Sequence, residues 1–361
     1  MRVFSKMKVA AALVLIAGVF IWWVSLRSSA GPSEGARRPD GGEPTASVAP
    51  ADRKTASTPE VRSEGAVGEF DVVFFAPWGS GEGHLGRRAA EESDPEGPMG
   101  FVIDDAGRAA VLDQVNSRVV LFDGGKQIRE IGLPADTYQD LQLDEDGNLV
   151  VLDRLAQRSV DLFDSRGRPS GQVQLEGDGV PEGGGTTAMF LREDGVWVEV
   201  EHTRLVRVAD ARGRPDPDRP QVNGRFSADG ARLLSAAREG RHSAVVLVRP
   251  AGSPGDLPRL LARVDFSLPV LHLLALESDT AGRVLLAAHL ARFEEQAPFR
   301  VLEERVEAVL MDPDGREADR VRLAAPRGAL DQFRTLRLSP DGILYHLYYD
   351  DSGVSLRRVV L

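Results

Sequence analysis

The chain has 361 residues, 42% of them hydrophobic, and a formal net charge of −11, enough apolar material for a buried core. The acidic balance argues against nucleic acid as a partner, because phosphates require clustered Lys and Arg and the 44 basic residues are scattered. Cysteine is absent, which excludes disulfides, zinc–thiolate centres, a thiol nucleophile and a lipidated-cysteine anchor.

Residues 1–8 carry Arg2, Lys6 and Lys8 ahead of an uncharged apolar run over 9–26. As a helix the run spans about 27 Å at ~1.5 Å per residue, and Trp22 and Trp23 near its far end suit a membrane interface. Positive charge on the leading side predicts a transmembrane signal anchor, with 1–8 in the cytoplasm and the remainder in the periplasm or outside the cell. The competing reading is a signal peptide cleaved after Ala30, since Ser28, Ser29 and Ala30 are small. The run exceeds the ~7–15 residues usual for such leaders. Residues 27–68 mix Pro, Gly, Ser, Ala, Arg and Glu with little apolar content, which predicts a disordered linker. Its root-mean-square reach is roughly 35 Å.

From 69 to 361, short Val- and Leu-rich segments alternate with Asp-Gly pairs at 146–147, 194–195, 229–230, 314–315 and 341–342. Asp-Gly between apolar strands marks a hairpin, because the turn needs positive φ. No sustained 3.6-residue period competes, so the domain is predicted all-β. Two stretches repeat at a spacing of 40: Gly107 aligns with Gly147, Asp113 with Asp153 and Arg118 with Arg158. Self-similarity of this kind marks a radial or stacked repeat. Each copy holds four strands, at 99–103, 109–112, 118–122 and 127–131, then at 140–143, 149–152, 158–163 and 171–175. Four strands make one propeller blade.

Fainter copies open at 187, 225, 271 and 333. The last has three strands, and the domain begins with an orphan strand at 70–75. The two deficits complete each other if the first strand becomes the outer strand of the last blade. A six-bladed ring of four-stranded blades then closes without a long free edge. The later blades carry longer loops, 290–302 and 324–331.

Several of these residues resemble the NHL-repeat β-propellers. They are 78–85 (Trp-Gly-Ser-Gly-Glu-Gly-His-Leu), 98–104 (Pro-Met-Gly-Phe-Val-Ile-Asp), Gly107, 111–113 (Val-Leu-Asp) and 116–123 (Asn-Ser-Arg-Val-Val-Leu-Phe-Asp). The second copy keeps Asp153, Arg158, Phe163 and Asp164 but has Ala156 and Gln157 where the Asn belongs. The remaining copies lack the Asn-x-Arg element. The resemblance implies a ring of about six blades and no single activity. Propellers of this type are mostly interaction platforms, and similar rings serve as lactonases and lyases.

Propeller enzymes usually work at the central channel, with a metal held by carboxylates, Asn or His. Seven residues past each turn glycine stand Gln114, Arg154, His202, Ala237, His289 and Tyr349, two histidines where a zinc site of three imidazoles needs three. One position earlier, Asp113, Asp153 and Glu201 form half a ring of acids, interrupted by Ala236, Ala288 and Tyr348. His202, His289 and Glu201 are therefore the candidate ligands for Zn²⁺ or Ca²⁺. The plainer reading is isolated strand-end histidines and turn-capping carboxylates, with Asp113 and Asp153 accepting turn amides and Arg118 and Arg158 pairing with them. His84, His242, His272 and His346 stand in other registers. Tyr345, Tyr348 and Tyr349 either pack between blades or form a rim patch with Asp350 and Asp351. No Gly-x-Ser-x-Gly elbow, P-loop or dinucleotide glycine motif is present, and no catalytic residue is identified. The sequence is read as a monomeric, membrane-anchored propeller that binds a protein or envelope ligand without catalysis or cofactor. The alternative is a metal-dependent lyase or lactonase working at the central channel.

Overall fold

Short strands joined by tight turns dominate the computed structural model, which describes residues 70–89, 94–104, 106–253, 255–325, 330–359 and 361. The expected anchor (9–26) and linker (27–68) lie outside these residues. Among the described residues, no helix is long and apolar enough to cross a membrane.

The chain opens with β1 (Phe70–Pro77). Blade one follows with β2 (Gly100–Ile103), β3 (Ala109–Asp113), β4 (Arg118–Asp123) and β5 (Lys126–Gly132). Blade two has β6 (Asp140–Leu143), β7 (Leu149–Asp153), β8 (Ser159–Phe163) and β9 (Pro169–Gln174). Blade three has β10 (Thr186–Arg192), β11 (Gly195–Val200), β12 (Arg204–Asp210) and β13 (Gln221–Asn223). Blade four has β14 (Arg225–Phe226), β15 (Arg232–Arg238), β16 (Ser243–Pro250) and β17 (Arg259–Asp265). Blade five has β18 (Val270–Ser278), β19 (Val284–Phe293), β20 (Val301–Met311) and β21 (Glu317–Leu323). Blade six has β22 (Leu336–Leu338), β23 (Leu344–Asp350) and β24 (Gly353–Val359).

Each sheet is antiparallel and four-stranded, and β1 completes the sixth, in the order β1-β24-β23-β22. Its register runs from Phe70 opposite Val359 to Pro77 opposite Gly353. The orphan strand thus closes the ring as its pairing deficit predicted. Phe74 is buried and stacks on Phe122 of blade one at 4.0 Å, so closure also joins the two ends of the ring by packing. The outer strands β13 and β17 have no counterpart in the sequence reading. The segment 290–302, expected as a loop, is a loop over 294–300, and its two ends continue β19 and β20. Cross-strand pairs such as Arg292 with Glu303 sustain the hairpin there despite its charged letters.

The turns use one device repeatedly. Asp104 Oδ1 accepts the backbone N–H groups of Ala106 (3.0 Å) and Arg108 (2.9 Å), with Gly107 at φ 78°. Asp144 does the same for Asp146 and Asn148, with Gly147 at φ 76°. An L-residue side chain would strain this backbone, and glycine does not. The apolar letters of each strand bury between neighbouring blades. Leu234 and Val246 of blade four pack with Leu286 and Leu290 of blade five, and Phe101 and Val120 of blade one pack with Leu347 and Leu356 of blade six. Each such side chain contributes about 1.5–3 kcal/mol, and only the ring supplies both neighbours.

Candidate functional site

Glu201 and His202 lie in the tight turn between β11 and β12, at φ 52° and 56°. Both are exposed, His202 by 67% of its side chain. The carboxylate of blade three that is buried like Asp113 is Glu199. β11 starts at Gly195 itself, whereas β3 starts two residues past Gly107. The fifth strand position is therefore Glu199, and counting from the glycine overshoots it. Glu199 pairs with Arg225, accepts from Thr187 Oγ1 at 2.7 Å and lies 3.4 Å from His202 Nδ1. Burial works to raise this carboxyl, and the Arg225 guanidinium outweighs it, holding the group well below the usual range.

His289 belongs to blade five. In the register it faces His272 on β18 and Val306 on β20. Its Nε2 lies 2.6 Å from Glu304 Oε1, and its ring centroid is 6.1 Å from that of His272. Burial, then the charges of His289 and Arg238, push the His272 imidazole below its ordinary value. The fold thus places His202 and Glu201 in one blade and His289 in another, beside different partners. Among the described residues, no three His, Cys, Asp or Glu side chains are placed to hold a metal ion.

Asp113 and Asp153 are both fully buried. Asp113 accepts from Gly86 N–H (2.8 Å), Asn116 Nδ2 (2.8 Å) and Arg118 Nε (2.8 Å). Asp153 accepts from Thr137 Oγ1 and the turn amides of Leu155 and Ala156. The expected Asp153–Arg158 pair does not form. In blade one the hairpin closes Asp113 on Arg118, and in blade two it closes Asp153 on Ser159. Arg158 is left in the turn at φ 54°, exposed and paired with Glu176 at 2.9 Å.

The three tyrosines are all buried, as the packing reading expected. Tyr345 and Tyr349 pack toward blade one, and Tyr348 alternates to the other face of β23. Burial raises the Tyr349 phenol to about 12, against the opposing charge of Arg87. His346 is also buried, 5.9 Å from the Tyr348 ring, and burial brings its imidazole down to about 3, helped by Arg357.

A buried polar cluster lies at the ring axis, and the sequence reading missed it. Arg334 precedes β22 in blade six, and its guanidinium reaches Met189 O of blade three, across the ring, at 3.4 Å. It also lies 3.5 Å from Asp140 and 5.0 Å from the Phe190 ring. Arg337 reaches Phe101 O (3.2 Å), Leu141 O (3.4 Å) and Asp140 (3.6 Å). Burial and Arg334 bring its guanidinium down to about 10, against the opposing pull of Asp140 and Glu277. Arg225 Nη1 donates to Leu276 O at 3.1 Å, and Glu277 accepts Leu338 N–H at 2.5 Å. Arg225 thus pairs with Glu199, and Arg334 and Arg337 converge on Asp140, with the Glu277 charge nearby. Charged letters in the first strand of a blade were the available signal. Apart from Glu199 and Arg334, these residues occupy β6, β14, β18 and β22, where an apolar strand would carry none. A shallow depression of about 400 Å³, lined by Phe75, Glu82, Phe122, Lys126 and Gln127, includes neither the axis residues nor the histidines in its lining.

No family model and no curated protein matches the chain. Among solved structures it is similar to a streptogramin B lyase at 9% identity, covering 77% of this chain and 97% of that one, with TM-score 0.42. It is also similar to a gluconolactonase from Xanthomonas campestris at 13% identity, covering 82% and 99%, with TM-score 0.45. A member of the DUF4221 family from Bacteroides vulgatus is similar at 12% identity, covering 81% and 98%, with TM-score 0.45. The activities named for those proteins are their own.

Proposed function

We propose that this chain is a non-catalytic binding module of the NHL-repeat type, anchored in the membrane through 9–26. Its propeller stands in the periplasm or outside the cell and takes a protein or envelope ligand on its surface. The observation that carries the reading is the ring axis. Arg225 is paired there with Glu199, and Arg334 and Arg337 with Asp140, with contacts crossing from blade six to blades two and three. Charges satisfied by one another in a buried centre hold a scaffold together and leave the outer surface for recognition. Metal analysis of the purified unit Arg62–Leu361 tests this. Expected are no stoichiometric metal and unchanged melting in EDTA. Tightly bound Zn²⁺ or Ca²⁺, lost in a His202→Ala/His289→Ala variant, would overturn it.

A separate observation favours the alternative, a metal-dependent lyase or lactonase. His289 and Glu304 are 2.6 Å apart with 21% and 35% of their side chains exposed, an imidazole oriented by a carboxylate as general acid–base chemistry requires. Under that reading, His289→Ala abolishes turnover of lactone or elimination substrates with little loss of stability.

A further inference from the structure

The hairpin between β19 and β20 departs from every other blade. β19 runs to Phe293, eleven residues past Gly282, while the second strands of the other blades stop at Asp113, Asp153, Val200, Arg238 and Asp350, five to eight residues past their turn glycines. At ~3.3 Å per residue the hairpin projects roughly 10–20 Å further. Neighbouring strands do not follow it. β18 pairs no further than Leu290, and β21 pairs from Val306. Ala291 N–H still donates to Pro269 O at 3.0 Å, and beyond it the hairpin is a two-stranded ribbon with both backbone edges open among the described residues. Such a ribbon is marginal alone in water.

Its side chains are of the wrong kind for solvent. Phe293, Phe299, Val301 and Leu302 are 40–59% exposed, clustered within ten residues. Open edges combined with exposed apolar side chains form a template for an added strand. Its charge selects among strands. At the tip Glu294 and Glu295 outnumber Arg300, and none of the three has an ion pair among the described residues, while Glu303 is already taken by Arg292 and Arg305. The domain behind is acidic as well. Of the 44 basic and 55 acidic residues, 9 and 6 fall in 1–68, which leaves 35 and 49 in 69–361, a formal charge of −14.

We infer that the β19–β20 ribbon is the docking element of the module, and that its partner is an extended protein segment alternating basic and apolar residues. The segment adds as a strand along the ribbon edge, its apolar side chains against Phe293, Val301 and Leu302 and its basic ones toward Glu294 and Glu295. Main-chain pairing gives affinity, and alternate side chains give specificity. This rests on the binding-module reading and names its partner class.

The test uses the unit Arg62–Leu361 and a fluorescent peptide alternating Lys with Val and Ile, read by anisotropy. Two control peptides carry Glu for Lys, or a central Pro that cannot pair. The basic peptide should bind, weaken as salt rises past about 0.15 M, where the screening length is about 8 Å, and exceed both controls at least tenfold. Phe299→Ser/Leu302→Ser and Glu294→Lys/Glu295→Lys should each weaken it at least tenfold with melting unchanged. Equal binding by these variants overturns the ribbon as the site but leaves the module reading standing. No preference over the acidic or Pro peptide overturns the partner class. Self-association of the wild type, or sedimentation with zwitterionic vesicles, abolished by the same variants would assign the ribbon to a second copy or to lipid and overturn the inference. Metal-dependent turnover would instead sink the module reading itself.

Discussion

The turns of the blades carry polar residues that recur, whereas the ring axis and the projecting ribbon carry polar residues that do not. The contrast separates two uses of a charged side chain in one architecture. Asp104 and Asp144 act within five residues of themselves, so the same letters reappear wherever the same turn is needed. Arg334 acts on Met189 and Asp140, far away in the chain, so nothing local repeats. Recurrence marks the scaffold, and its absence marks positions set by the closed ring.

The largest expected effect sharpens what both regions share. Starting the chain after Pro77 removes β1 and its pairing with β24, and the ring should lose its cooperative unfolding transition. Phe74→Ala, a smaller version, should cost about 3–5 kcal/mol in urea unfolding. A cost below about 1 kcal/mol would mean that closure does not depend on this strand.

The next pair tests the contrast directly. Arg225→Met leaves the Glu199 carboxylate buried and unmatched and should cost about 3–5 kcal/mol. Adding Glu199→Met should restore most of that, because a buried ion pair is often replaceable by apolar residues. If the double variant stays as unstable as the single one, the axis is held by something other than charge matching.

Within the recurring pair, identical letters should behave differently. Arg118 is 5% exposed and bonds Asp113, Glu130 and three backbone carbonyls of the lead-in loop. Arg118→Ala should cost about 3 kcal/mol or more, and Arg158→Ala no more than about 1 kcal/mol, as for exposed pairs. Equal costs would break the distinction drawn from the hairpin register.

The last comparison concerns pH. His346 titrates near 3 in the fold and near ~6.5 when unfolded, so the unfolded state takes the proton first. Its contribution is intact above about pH 6.5 and declines toward pH 3, by about 1.4 kcal/mol per pH unit. His272 shifts in the same direction. Between about pH 6.5 and 4.5, above the ordinary carboxylate range, His346→Phe should flatten the loss of stability. An unchanged slope would show that this histidine is not the group responsible.

The turn glycines with their aspartates, the Val-Leu alternation and the missing strand of the last copy were enough to give blade content, blade number and ring closure. Those features are local or countable: a positive φ needs glycine, a half-buried strand alternates, and an unpaired edge seeks a partner. Asp113 and Arg118 were legible as a pair for the same reason. Arg158 was not, because the hairpin in blade two closes one residue later, and only the register reveals that. Glu199 was hidden by a two-residue shift in where β11 begins. The axis cluster and the exposed ribbon were beyond any local pattern. Arg337 and Asp140 meet because six blades bend into a circle, and Phe293 and Leu302 stand in solvent because the flanking strands stop short. Tertiary structure decided these, since contact across a ring depends on its curvature and closure, which no stretch of a few residues encodes.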